Sequence, residues 1–181
     1  SLTLNDKLLN LEKSASIIFD FTNINFNSRQ IINLLGKKFS DFLVLGEQVG
    51  LLSQLESIIL NLAEDFRLQS GLNVEYNTTM NGTNLAKVCS LKIADNEQNL
   101  LERLCEYVNL LCDLKPLKLI VLVFGKHFMS KKEIENFNKY CLDKDARLLL
   151  IEGADKTELL SNEKRLIIDE DLCTIPLGYS D

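Results

Sequence analysis

The order of apolar and polar residues predicts strands near both ends of the chain and long helices between them. Residues 15–21 are rich in β-branched and aromatic side chains and predict a buried strand. Asn27 and Ser28 then offer an N-cap for a helix, which should end before Gly46 and Gly50. Its apolar residues recur at helical spacing: Ile31, Ile32, Leu34, Leu35, Phe39 and Phe42.

Two longer helices are predicted where apolar residues alternate at steps of three and four. The first runs from about Gln48 to Gln69 and the second from about Asn96 to Cys112. The apolar positions are Leu52, Leu55, Ile59, Leu62 and Phe66 in the first, and Leu101, Leu104, Val108 and Leu111 in the second. Two or three heptads fit either two helices packed side by side or the core of a bundle.

The remaining segments complete an alternation of strands and helices. Residues 71–95 are polar, and glycines and asparagines interrupt any regular apolar pattern. They predict short strands near 74–76 and 91–93 with a helical turn near 85–87.

The last third alternates strand and helix. Its continuous apolar run at 119–124 is typical of a buried parallel strand, and 147–151 and 165–169 predict two further strands. Between the first two, Ser130 and Glu133 have the spacing of a capping box. Strand, helix and strand in this order form a βαβ unit, whose crossover should be right-handed.

Composition describes an ordinary globular chain with an uneven charge distribution. The 181 residues carry a net charge of -6, which argues against a simple polybasic nucleic-acid binder. Residues 46–114 hold ten acidic and four basic side chains, whereas 1–45 and 115–181 are close to neutral. Residues 115–142 hold two glutamates and six lysines, Lys115, Lys118, Lys126, Lys131, Lys132 and Lys139. This pattern fits either random clustering on a solvated surface or basic and acidic regions with different partners.

Cysteine usage and hydropathy favour a cytoplasmic protein. The five cysteines form an odd set without a C-x-x-C motif, which predicts neither a disulfide framework nor a zinc site. No apolar run reaches about 18 residues, so no membrane span is expected. Because the chain starts at Ser1 without a methionine, we expect its natural start to lie upstream.

Nucleotide hydrolysis is not predicted, although one strand ends like a Walker B motif. Residues 166–170 are an apolar run followed by Asp169 and Glu170. The glycine–lysine pairs at 36–37 and 125–126 lack the first glycine and the final Ser or Thr of a phosphate-binding loop. A strand that ends in solvated acids is the favoured interpretation.

Other candidate chemistry is sparse. His127 follows a strand and a glycine, as in many active-site loops, and Cys141 is a conceivable nucleophile, so an α/β enzyme acting near Glu152 and Asp169 is one hypothesis. Residues 143–148 lack the third ligand and the turn glycine of an EF-hand.

Oxygen ligands and lysines supply the remaining candidates. Glu75 and Asn77 could bind a hard cation. Lysines near the ends of elements are candidates for sequence-independent contacts to the DNA backbone; these are Lys37, Lys38, Lys126, Lys131 and Lys132. A structural module that self-associates through the long helices is a further hypothesis, beside the α/β enzyme and the DNA-binding protein.

Four stretches in order resemble the accessory spacer-acquisition family of type II-A CRISPR systems. They are the helix start at 25–32, the Leu-x-Val-Glu-Tyr-Asn stretch at 72–77 with its continuation to 93, the strand, loop and capped helix at 119–133, and the strands at 147–152 and 167–171. Together they extend over nearly the whole chain.

The resemblance implies a fold and a function. The fold would be an α/β one with a degenerate P-loop-like, or Rossmann-like, head, formed by 1–45 and 115–181, and a two-helix extended leg at 46–114. Members of the family form homotetrameric rings around the ends of double-stranded DNA, are not enzymes, hold calcium with leg acids rather than a nucleotide, and act with the CRISPR integration proteins and the effector nuclease.

The chain departs from the family pattern in two places. The resemblance implies that about the first forty residues of a typical member are absent. Asn77 stands where members often have aspartate, which leaves Glu75 as the better match to a calcium ligand.

Overall fold

The structure is a computed structural model that describes residues 3–4, 7–8, 10–21, 23–45, 48–77, 80–94, 99–154, 159–160 and 163–178. The chain divides into two compact units. The sheet unit comprises Ser1–Ile24 with Glu97–Asp181, and the helical unit comprises Asn25–Asn96.

Strands and helices are numbered along the chain. The strands are β1 (Thr3–Leu4), β2 (Lys7–Leu8), β3 (Ala15–Ile18), β4 (Leu119–Val123), β5 (Arg147–Ile151), β6 (Arg165–Ile168) and β7 (Thr174–Leu177). The helices are α1 (Leu11–Ser14), α2 (Arg29–Leu43), α3 (Gln48–Ser70), α4 (Gly82–Val88), α5 (Leu100–Leu114), α6 (Gly125–Phe128) and α7 (Lys131–Asp143).

A parallel three-stranded sheet organises the sheet unit. The strand order is β3-β4-β5, and the central β4 buries Ile120 and Leu122 completely. The predicted βαβ unit is confirmed, because α7 connects the parallel neighbours β4 and β5. Its predicted capping box is also present, since the side chain of each of Ser130 and Glu133 bonds the backbone of the other. Antiparallel hairpins β1-β2 and β6-β7 complete the strands that the structure describes.

Buried apolar residues of α5 and α7 build the core beside the sheet. On α5 the buried residues are Leu104, Val108 and Leu111, and on α7 they are Ile134, Phe137 and Cys141. The two helices contact each other, and α7 also contacts β5. The apolar stripe predicted on the second long helix therefore belongs to the core of the sheet unit.

Packing of α2 against α4 dominates the helical unit. Gly82 sits so close to α2 that a Cβ at this position would lie 2.2 Å from the Cα of Ser40, so only glycine fits there. The chain before α4 is hydrogen-bonded to α3, because Met80 N donates to Glu56 Oε1 at 2.9 Å and the Tyr76 hydroxyl donates to the Glu64 carboxylate.

The short strands predicted at 74–76 and 91–93 are wrong. Neither stretch forms a strand or a helix. At Ile93 the partner is a side chain: Asn27 donates Nδ2–H to Ile93 O at 3.0 Å and accepts from Ile93 N at 2.8 Å. An amide bonded in this way satisfies the backbone of Ile93 as a neighbouring strand would.

The mixed α/β class is confirmed, but the unit boundaries differ from the predicted 1–45, 46–114 and 115–181. Helix α2 falls in the helical unit because it packs on α4, and α5 falls in the sheet unit because it packs on α7. The two helices of the predicted leg, α3 and α5, thus belong to different units.

Candidate nucleic-acid interface

The turn after β4 places Lys126 at the carboxyl edge of the sheet. Phe124 adopts the left-handed conformation with φ 60°, which is uncommon for a bulky residue, and donates its N–H to Ile151 O at 2.8 Å. Gly125 is buried, and a Cβ there would lie 3.3 Å from the Cβ of Leu122. The Lys126 N–H then donates to Glu152 Oε1 at 2.9 Å, which orients the lysine backbone.

The Lys126 side chain ends in an ion cluster that is nearly closed to solvent. Its Nζ lies 2.9 and 3.0 Å from the two carboxylate oxygens of Glu163, and Arg165 Nε lies 3.0 Å from Glu163 Oε1. The exposed fractions of these side chains are 8% for the lysine, 15% for the glutamate and 14% for the arginine. We call these three residues the 163 cluster.

Opposing effects act on the Glu163 carboxyl. Burial would raise its pKa, but a hydrogen bond from Leu160 N at 2.8 Å and the bonds from Lys126 and Arg165 more than offset this, so the pKa is lowered. Gly178, at the end of the hairpin, has φ 78° and faces Glu163 O, where a Cβ would lie only 2.6 Å away. The carboxylate is therefore ionised at neutral pH and enclosed by its own chain.

Three of the six lysines in the basic stretch have a defined polar partner and are not exposed; they are Lys115, Lys118 and Lys126. Lys115 is 9% exposed, donates to Ala15 O at 2.6 Å, and has its pKa lowered by burial. Lys118 pairs with Asp145, and Lys126 with Glu163. The exposed lysines of the stretch are Lys131, Lys132 and Lys139, all on α7.

The predicted DNA-contacting lysines thus fall into three environments. Lys37 and Lys38 are exposed on α2 in the helical unit, and Lys131 and Lys132 are exposed in the first turn of α7 in the sheet unit. Lys126 differs, because its ammonium is nearly buried against Glu163. Sequence reasoning missed this pair because its members lie 37 residues apart.

The predicted calcium ligands lie outside any acidic cluster of the described residues. Glu75 and Asn77 are both exposed, and within the described ranges no three His, Cys, Asp or Glu side chains group as a metal site would require. Calcium takes six to eight oxygen ligands. A nearby acid with defined partners is Glu64, which binds Arg67 at 2.5 Å and accepts from Tyr76; these two bonds lower the pKa of its carboxyl.

The two candidate catalytic residues lie in different environments. His127 is exposed and meets the Phe128 ring edge-on at 5.3 Å. Cys141 is fully buried on α7, and burial raises the pKa of its thiol to about 12. Such a thiol is protonated at neutral pH and is a poor nucleophile.

These features define an α/β protein with a parallel sheet, a separate helical unit and exposed lysines on α2 and α7. Residues 2–172 match the family model described as CRISPR-associated protein (Cas_Csn2), and the chain belongs to that family. The resemblance drawn from the sequence is thereby confirmed. Comparison with curated proteins gives no match. Among the described helices, no single one is long and apolar enough to cross a membrane.

Proposed function

We propose that this CRISPR-associated protein is a non-enzymatic, ring-forming homotetramer that binds the ends of double-stranded DNA during spacer acquisition. Its partners would be DNA of any sequence, the CRISPR integration proteins and the effector nuclease, in the cytoplasm. The family supplies the CRISPR context. The observation that carries the DNA contact is α7, whose first turn presents Lys131 and Lys132 to solvent.

The position of these lysines suits phosphate binding. Neighbouring lysines at the first turn add their charges to the positive end of the helix dipole. Lysine contacts to phosphates are independent of base sequence and weaken steeply with salt. The exposed pair Lys37 and Lys38 offers a second basic position on the helical unit.

The surface of α3 supports the proposed self-assembly. None of the residues of this helix is buried, although it is rich in apolar side chains. Those exposed by more than half are Leu51, Ile58, Leu62, Phe66 and Leu68. A helix that is apolar around its circumference is normally buried against other parts of a protein. An interface between subunits would bury the apolar surface of α3.

Calcium, as implied by the family resemblance, would be held through oxygen ligands. Glu75 and Asn77 would each supply oxygen ligands from an exposed position. A non-enzymatic role agrees with the protonated, buried Cys141 and the exposed His127.

Size and DNA binding measured together test the proposal. Light scattering should give the mass of a tetramer. The same measurement in calcium and in a chelator shows whether the ion strengthens the association of the subunits. A short linear duplex should shift in a gel, whereas a covalently closed circle of the same sequence should not. A monomer indifferent to linear duplex at low salt would overturn the proposal. Self-association without any DNA binding would instead favour a structural oligomerisation module.

A further inference from the structure

The 163 cluster places two cations of the chain around one internal anion. Lys126 and Arg165 come from different elements, α6 and β6, and meet at Glu163. All three side chains are at most 15% exposed. Surface ion pairs form and break freely, but a pair this enclosed is held by its surroundings.

The donors around Glu163 match those that bind a phosphoryl group. Glu163 Oε1 accepts from Lys126 Nζ and Arg165 Nε, and Oε2 accepts from Lys126 Nζ and Leu160 N. Ammonium, guanidinium and backbone N–H are the groups that proteins use for phosphate oxygens. A phosphate dianion has more charge and more acceptor oxygens than a carboxylate and can use the same donors.

The location suits a ligand as well. Lys126 follows the end of β4 by three residues, at the carboxyl edge of a parallel sheet, where α/β proteins bind their ligands. With the preceding Gly125 it forms one of the two glycine–lysine pairs that lack the rest of a phosphate loop. Here the chain's own carboxylate lies against the lysine of that pair.

We propose that Lys126 and Arg165 form a phosphoryl-binding site that Glu163 of the same chain occupies and keeps closed. Withdrawal of that carboxylate opens the site to a phosphate, either free or in a DNA backbone. Lys126 then becomes a DNA contact only when Glu163 has left it. The site itself does not depend on the proposed function; only its use by DNA does.

Neutralising the internal anion tests the site with inorganic phosphate as the probe. Glu163→Gln keeps the shape of the side chain and removes its charge. Phosphate at constant ionic strength should raise the unfolding temperature of this variant and bind it at least tenfold more tightly than wild type. The matched control Glu170→Gln makes the same charge change at an exposed position in the turn between β6 and β7 and should behave as wild type.

A second substitution shows whether Lys126 holds the phosphate. Adding Lys126→Met to Glu163→Gln should abolish the response to phosphate. If Glu163→Gln does not fold in chloride, phosphate should restore its folding yield. A folded variant that ignores phosphate, or one that responds to formate but not to phosphate, overturns the proposal.

A short linear duplex identifies the source of the phosphoryl group. Tighter duplex binding by Glu163→Gln than by Glu170→Gln, together with the phosphate response, assigns the site to backbone phosphate. A phosphate response alone assigns it to free phosphate. If wild type binds no duplex, the proposed function fails while the phosphate measurement still decides on this site.

Discussion

Glu163 illustrates how a single charged side chain connects stability with pH in this protein. Its carboxylate holds a lysine and an arginine that are nearly excluded from water. Removing one member of such an enclosed group leaves charge without compensation, which typically costs about 3–5 kcal/mol. This loss of stability applies only while the Glu163 carboxyl is ionised, because a protonated carboxyl attracts the two cations no better than an amide does.

We therefore expect wild type to lose stability in acid in a way that Glu163→Gln does not. The folded pKa of Glu163 is lowered, so the unfolded chain binds more protons than the folded one as pH falls from about 5. Urea unfolding should show wild type more stable by roughly 3 kcal/mol at pH 7. The difference should shrink as pH falls through the folded pKa. A difference that is constant between pH 7 and pH 3 would contradict this role of the Glu163 charge.

Helices were predictable from the sequence where their start signals are local. Ser28 and Ser130 cap α2 and α7 as expected, because a cap is defined by residues three positions apart. The second long helix begins at Leu100 instead of near Asn96, since Asn99 and Glu102 form a capping box that the apolar stripe does not reveal. The stretch around Ile93 is predicted as a strand but does not form one; its partner is the Asn27 side chain, 66 residues away in sequence. A partner so distant in sequence does not show in the local pattern of apolar and polar residues.

Asn27→Ala should accordingly destabilise the helical unit. The change leaves both the N–H and the C=O of Ile93 without their partner in a partly buried position, at a cost of about 1–3 kcal/mol. Chemical unfolding measures the loss, and hydrogen exchange should speed up at the Ile93 amide. The control Asn33→Ala changes an exposed asparagine inside α2 and should cause no loss. Equal stability of the two variants would show that the Asn27 bonds contribute nothing.

Across the whole molecule, the net charge of -6 says little about what the protein can bind. The sequence places the excess acid in 46–114 and the lysines in 115–142, but it cannot separate the exposed lysines from those that have a partner within the unit. The structure turns Lys115, Lys118 and Lys126 to internal partners and leaves the lysines in the first turn of α7 exposed. Only a folded chain makes this distinction, because the internal partners are remote in sequence; they are Ala15, Asp145 and Glu163.

If α7 meets DNA, the salt dependence of binding should report it. Lys131→Gln with Lys132→Gln should weaken binding to a linear duplex roughly tenfold and reduce the slope of log affinity against log salt by about two. The helix should remain folded, since removing positive charge from its first turn relieves an unfavourable interaction with the dipole. The control pair Lys87→Gln with Lys92→Gln changes the net charge equally at exposed positions of the acidic segment. Its slope should stay at the wild-type value. Equal losses in both pairs would mean that the duplex senses overall charge, and α7 would not be the contact surface.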